Sequence, residues 1–169
     1  PKDVSTMVLL PLIREKTDVP LIAAGGITCG RTMAAAFALG AEGVQMGTRM
    51  VSAAESPVHA NWKNAILAAE ETGTVFLNRF GSPSLRALRT EKTTRLEREL
   101  TPDYKGPPVM AEFGNAKDLY FGGDMEASIA LTGQVAGRID AIKPVAQIIA
   151  ETVAGFAEIA AGLGRIAAA

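Results

Sequence analysis

Two short apolar runs in this sequence end on glycine. One reads PLIAAGGITCG, residues 20–30; the other reads GVQMGTRM, residues 43–50. Glycine weakens a strand and is used where the backbone turns sharply or lets another group come close. If both runs are parallel strands, their C-terminal ends point the same way and their loops lie side by side. Gly25, Gly26 and Gly47 then expose backbone N–H groups, and Thr48 adds a hydroxyl. A helix starting near Gly30 turns its positive end to the same region, which favours an anion. In (β/α)8 barrels the phosphate site is often built after strands seven and eight. A tight turn explains Gly-Gly by itself; the paired loops point to phosphate.

Other residues invite chemistry less directly. His59 is the single histidine and falls on an amphipathic stretch beside Asn61 and Trp62, which points to surface or packing. Cys29 is the single cysteine, so the chain forms no internal disulfide. A small buried residue in a tight turn is the plain reading, although a helix N-terminus lowers a thiol's pKa. Arg86, Arg89, Lys92, Arg95 and Arg98 recur every third residue, with Glu91, Glu97 and Glu99 between them. Single-strand binding usually wants interleaved aromatics, which are missing here. A solvated face with helical ion pairs is expected instead, and contact with an acidic substrate is a further reading. Asp124 and Glu126 form no metal-ligand set with His59 or Cys29, so no metal site is expected. Gly122 and Gly123 read as a flexible turn.

The elements that hold these residues follow from pattern. Residues 5–17 read as a helix starting near Ser5 or Thr6, with Pro11 marking a kink or a late start. Val19 to Ala24 form a wholly apolar strand of the kind covered on both faces of a parallel sheet. GRTMAAAFALGAE is a helix of about three turns, with Gly40 at its C-terminal cap. GVQMGTRM is the second strand of a right-handed β-α-β unit. SPVHANWKNAILAAEETG is expected as a helix capped by Ser56, with Pro57 at its first position and Gly73 at its end. TVFLNRF reads as a strand, SPSLRALRTEKTTRLEREL as a charged helix, and residues 101–124 as a Pro- and Gly-rich loop. A long amphipathic helix closes the chain. Val145, Ile148, Ile149, Val153, Phe156, Ile159 and Leu163 form its apolar stripe. Glu151, Glu158 and Arg165 interrupt it, so it is read as docked rather than membrane-spanning.

With 169 residues, 48% hydrophobic, 21% charged and a formal net charge of −1, the chain reads as globular. It has no global attraction to nucleic acid or to an acidic membrane. A lone cysteine fits a reducing cytoplasm. Two short parallel strands cannot make a sheet covered on both faces. Further strands are therefore expected from an N-terminal half or another chain, with self-association as the alternative.

VPLIAAGGITCGRTMAAAFALGAEGVQMGTRM resembles the FMN phosphate segment of the nitronate monooxygenase family. ESPVHANWK, SLRALRTEKTTRLERE and GDMEASIALTGQVAGRIDAIKPV resemble later segments of that family, in the same order. The first is shared with other FMN barrels, and the later ones also with FMN-dependent enoyl-acyl carrier reductases. The resemblance implies an α/β fold, the C-terminal portion of a (β/α)8 TIM barrel holding strands seven and eight, with the N-terminal strands absent. It implies barrel units over 1–80, a charged helix and loop over 81–124, and an amphipathic helical region over 125–169. It implies FMN as cofactor, contacted by Ala24, Gly25, Gly26, Gln45, Met46, Gly47 and Thr48. The family oxidises small-molecule alkyl nitronates with dioxygen, releasing nitrite and a carbonyl compound. Enoyl or quinone reduction on the same scaffold is the alternative, and an inactive fragment or phosphate-binding module is a third. The family's catalytic histidine follows a Gly-Gly pair, and no Gly-Gly-His occurs in these residues; His59 matches another position, so the catalytic group is left unknown. Met125, Ser128 and Gln134 are implied as candidates for the active-site wall.

Overall fold

The computed structural model describes residues 4–167. Helix α1 (Thr6–Arg14) leads to strand β1 (Ile22–Ala24), helix α2 (Gly30–Ala38) and strand β2 (Gly43–Gln45). The two strands are parallel, with Ile22 opposite Gly43 and Ala24 opposite Gln45. Leu10, Ala23, Ile27, Ala36 and Ala41 form the core beneath them. Gly40, at φ +97°, closes α2 as expected.

Both strands are shorter than the sequence suggests. Residues 48–51 form a turn of helix, α3 (Thr48–Val51), with Gly47 at its N-cap, so the second strand stops at Gln45. β1 is buried on one side only. Ala23 is inside, whereas Ile22 is 69% exposed and Met7 on α1 is 72% exposed. Among the described residues β1 pairs only with β2, so the apolar run has one covered face rather than two.

Helix α4 (Ala60–Leu67) begins three residues later than Pro57. His59 rather than Ser56 caps it, its Nδ1 accepting the Asn61 N–H at 3.1 Å. Strand β3 (Thr74–Leu77) pairs antiparallel with β4 (Leu85–Leu88). The expected helix over residues 82–100 is therefore half strand. Pairing with β3 explains it: Arg86 lies opposite Phe76 with its guanidinium 5.1 Å from the ring centre, while Ala87 and Leu88 are buried. Cross-strand pairs of this kind stabilise a ladder that helix propensity cannot anticipate. Helix α5 (Glu91–Glu99) takes the remaining charged residues. Residues 101–124 are irregular apart from a 3₁₀ turn (Val109–Phe113) and a π turn (Asp118–Gly122).

GGDMEAS has a structural role. The Asp124 carboxylate accepts the Glu126 N–H at 2.9 Å. Glu126 then reaches the first turn of α5, accepting the N–H groups of Glu91 (3.1 Å) and Lys92 (2.8 Å) and the Thr90 hydroxyl (3.2 Å). A carboxylate at a helix N-terminus satisfies donors that have no intrahelical partner and complements the helix dipole.

Helix α6 (Val145–Ala167) packs on α2 by a narrow face. Ile148 and Thr152 are buried, and Phe156 meets Phe37 with ring centres 5.0 Å apart. Gly30 makes the contact: a Cβ there would overlap the backbone of Gly155 and Phe156. The docked stripe is narrower than expected, since Ile149, Val153 and Leu163 stay exposed. By length and composition α6 is apolar enough to cross a membrane.

Two measurements check these contacts. Gly30→Ala forces two backbones apart, an overpacking effect of about 2 kcal/mol or more, so its Tm should fall by roughly 4–8 °C. Gly162→Ala, where a Cβ meets only the Arg165 side chain at 3.8 Å, should leave Tm unchanged or raise it. Glu126→Ala should lower the urea midpoint by the equivalent of about 1–2 kcal/mol with an unchanged slope.

Candidate functional site

The Ala24–Gln45 pairing sets the two strand tips level. From there the chain enters the loops 25–28 and 46–48 side by side. Gly25 and Gly26 have φ of +94° and +85°, a region closed to most L residues. Two consecutive residues of this kind turn the backbone sharply out of the strand. The first is pinned from α1, where the Thr6 hydroxyl donates to the Gly25 carbonyl at 3.3 Å.

The space around these glycines is open. A Cβ at Gly26 or at Gly47 would meet nothing within 4 Å. Among the described residues none accepts the backbone N–H of Gly26 or Gly47. Ala24, Gly25, Gly26, Gln45 and Gly47 are exposed, and Met46 and Thr48 are half-buried. The seven residues named from the sequence thus lie at the two strand tips, Met46 turned toward the core cluster, with the Gly26 and Gly47 N–H groups unpaired among the described residues and open space beside both glycines. Backbone donors of this sort match an acceptor-only phosphate oxygen.

The second loop is fixed from a distant part of the chain. The Gly133 N–H donates to Thr48 Oγ1 at 2.9 Å. The Arg49 guanidinium, buried, donates to the Ala141 carbonyl at 2.8 Å and to Ser52 Oγ at 3.4 Å. The Ala54 N–H donates to the Lys143 carbonyl (3.0 Å), and the Val145 N–H to the Glu55 carboxylate (2.9 Å). Segment 47–55 is thereby fastened along segment 133–145. Gly133 and Arg49 are the residues that sequence reasoning missed. Both act across more than eighty residues, and no local pattern carries that pairing.

The remaining candidates lie elsewhere. Met125 packs against the cluster around Trp62 and Ile66. Ser128 is fully buried. Only Gln134, exposed and next to Gly133, adjoins the loop. His59 is a packing group: besides capping α4 it donates its N–H to the Tyr120 carbonyl at 2.6 Å, and its ring fills the space beside Gly123. Cys29 begins α2, its N–H donated to Thr32 Oγ1 at 3.2 Å. Burial pushes its thiol up, but hydrogen bonds from Thr32, Arg31 and Thr28 outweigh that and leave it below its ordinary value. The basic positions do not share a stripe, since Arg86 is on β4 and Arg95 on α5. Arg89 pairs with Glu97 at 3.1 Å and Arg95 with Glu99 at 2.8 Å. Among the described residues no cluster of three metal-ligating side chains occurs.

Comparison with known proteins identifies the family and the fold. A sequence model of the nitronate monooxygenase family matches residues 1–155. A protein named "Probable nitronate monooxygenase" from Staphylococcus saprophyticus is 37% identical over 116 residues, 67% of this chain and 32% of that protein. The structure of FabK from Thermotoga maritima matches with a TM-score of 0.87 and 39% identity, covering 98% of this chain and 53% of that one. That of nitroalkane oxidase from Streptomyces ansochromogenes matches with a TM-score of 0.73 and 26% identity, covering 95% and 46%. The chain therefore spans about a third to a half of the length of these relatives. From these matches, the chain belongs to the nitronate monooxygenase family.

Proposed function

We propose that this chain carries the phosphate half of an FMN site in an oxidoreductase that converts alkyl nitronates and dioxygen to a carbonyl compound and nitrite. The observation that carries it is the pair of level strand tips, with open backbone at Gly26 and Gly47. A flavin supplies two-electron redox chemistry when bound, and the protein supplies binding and orientation. In this reading the N–H groups of Gly26 and Gly47 and the Thr48 hydroxyl hold the phosphate, while Ala24, Gly25, Gln45 and Met46 line its approach. β1 and β2 are then strands seven and eight of a TIM barrel. The free edge of β1 and the exposed Ile22 and Met7 are where the rest of that barrel packs. The group that handles the substrate proton lies outside the residues the site brings together.

A second reading has a specific observation behind it. The FabK structure is more similar to this chain than the nitroalkane oxidase structure, at 39% against 26% identity. That favours FMN-dependent enoyl-acyl carrier reduction, or quinone reduction by a nicotinamide, on the same phosphate site. Nitrite release from a nitronate under oxygen supports the first reading, and nicotinamide oxidation with an enoyl thioester or quinone supports the second.

Binding is tested before turnover. Titrating FMN with the chain should change flavin fluorescence. Gly47→Asp should weaken binding by about a hundredfold, because a like charge against the phosphate costs several kcal/mol, while far-UV circular dichroism stays native. FMN binding that is equal in wild type and Gly47→Asp contradicts the assignment of these loops.

A further inference from the structure

We infer that Gly133, through its backbone N–H, is a positioning residue that aims the Thr48 hydroxyl at the cofactor phosphate, so that segment 133–145 helps select phosphorylated flavin. The inference rests on the FMN reading above and extends it to a part of the chain far from both strand tips.

A threonine hydroxyl has one hydrogen to donate and two lone pairs to accept with. Its rotor ordinarily turns to suit its neighbours. Here the Gly133 N–H approaches Oγ1 at 2.9 Å and occupies a lone pair. The hydroxyl hydrogen is thereby excluded from that side and kept for another acceptor. A phosphate oxygen accepts and does not donate, so this is the orientation it needs, and a bond to a charged oxygen is stronger than one between neutral groups.

The structure makes this contact hard to lose. Arg49, adjacent to Thr48, is buried and bonded to the Ala141 carbonyl. The loop and the segment are joined again by Ala54 to Lys143 and by Val145 to Glu55. Thr48 and Gly133 thus sit at the open end of a fastened pair of segments, beside the unfilled space at Gly47. Gly133 has φ of −76°, which proline also adopts. Proline at 133 thus needs no new φ, and its Cδ takes the place of the N–H hydrogen, so Gly133→Pro removes the donor and also pushes the Thr48 hydroxyl out of its present position.

The test compares FMN with riboflavin, which lacks the phosphate, by fluorescence titration. Thr48→Val should weaken FMN binding about ten- to a hundredfold, the loss of a hydrogen bond to a charged group, and leave riboflavin binding within about twofold. Thr48→Ser should restore FMN binding. Gly133→Pro should weaken FMN binding about three- to tenfold with riboflavin unchanged, and Gly133→Ala, which keeps the N–H, should match wild type. A merely structural role would lower both ligands together, and that result overturns the inference. If wild type binds FMN and Gly133→Pro binds it equally well, the positioning role is wrong while the FMN reading stands. If wild type binds neither flavin, the FMN reading fails and the inference fails with it. Should Gly133→Pro not fold, the Thr48→Val and Thr48→Ser pair, with amide exchange at Gly133, decides: exchange must quicken in Thr48→Val and not in Thr48→Ser.

Discussion

Parallel pairing of Ala24 with Gln45 is the constraint on which the candidate site depends. A parallel register fixes direction as well as distance, so two loops leave the sheet at one level and on one side. Slippage by one residue would turn every side chain over and separate the tips. From below, Leu10, Ala23, Ile27, Ala36 and Ala41 pack the strands against α1 and α2. The β-α-β unit is held from outside by α6, whose close approach to Gly30 leaves no room for a side chain. Close packing thus does the positioning, and the glycines at the tips leave their backbone open.

The loops are unequal. Gly25 and Gly26 are shaped by their own positive φ and one bond from Thr6. Gly47 and Thr48 are shaped by a segment more than eighty residues away. The two halves of one site therefore rest on different parts of the chain. This links the strand-tip loops to the segment leading into α6, and through α6 back to α2. The second region, from β3 to α5, is organised around Val75, Leu77, Ala87 and Leu96, and Glu126 ties the segment that carries it to the start of α5. Arg95 and Glu99 pair along α5, and Arg89, just before it, pairs with Glu97.

Much of the geometry of the candidate site was legible because the signal was local. Gly25, Gly26, Gly47 and Thr48 stand at the ends of apolar runs, and a β-α-β unit forces such ends together. The parallel pair, α2 and its Gly40 cap, and α6 also follow from short-range pattern. What escaped had a long-range cause. β4 was hidden because Leu85–Leu88 is charged and short, and only the presence of β3 makes it a strand. The start of α4 moved to His59 because the Tyr120 carbonyl and Gly123 hold that residue from another segment. Gly133 and Arg49 carried no local mark at all. The breadth of the α6 stripe misled for a related reason: apolarity shows which faces can be covered, and the fold shows which are.

The central claim is that flavin phosphate sits against the strand-tip backbone. Amide spectra of ¹⁵N-labelled chain, recorded with and without FMN, test it at the atoms concerned. The account predicts the largest shifts and the slowest exchange at the Gly26, Gly47 and Thr48 amides, with a smaller change at Gly133. Shifts confined to α5, with those four amides unmoved, would contradict it.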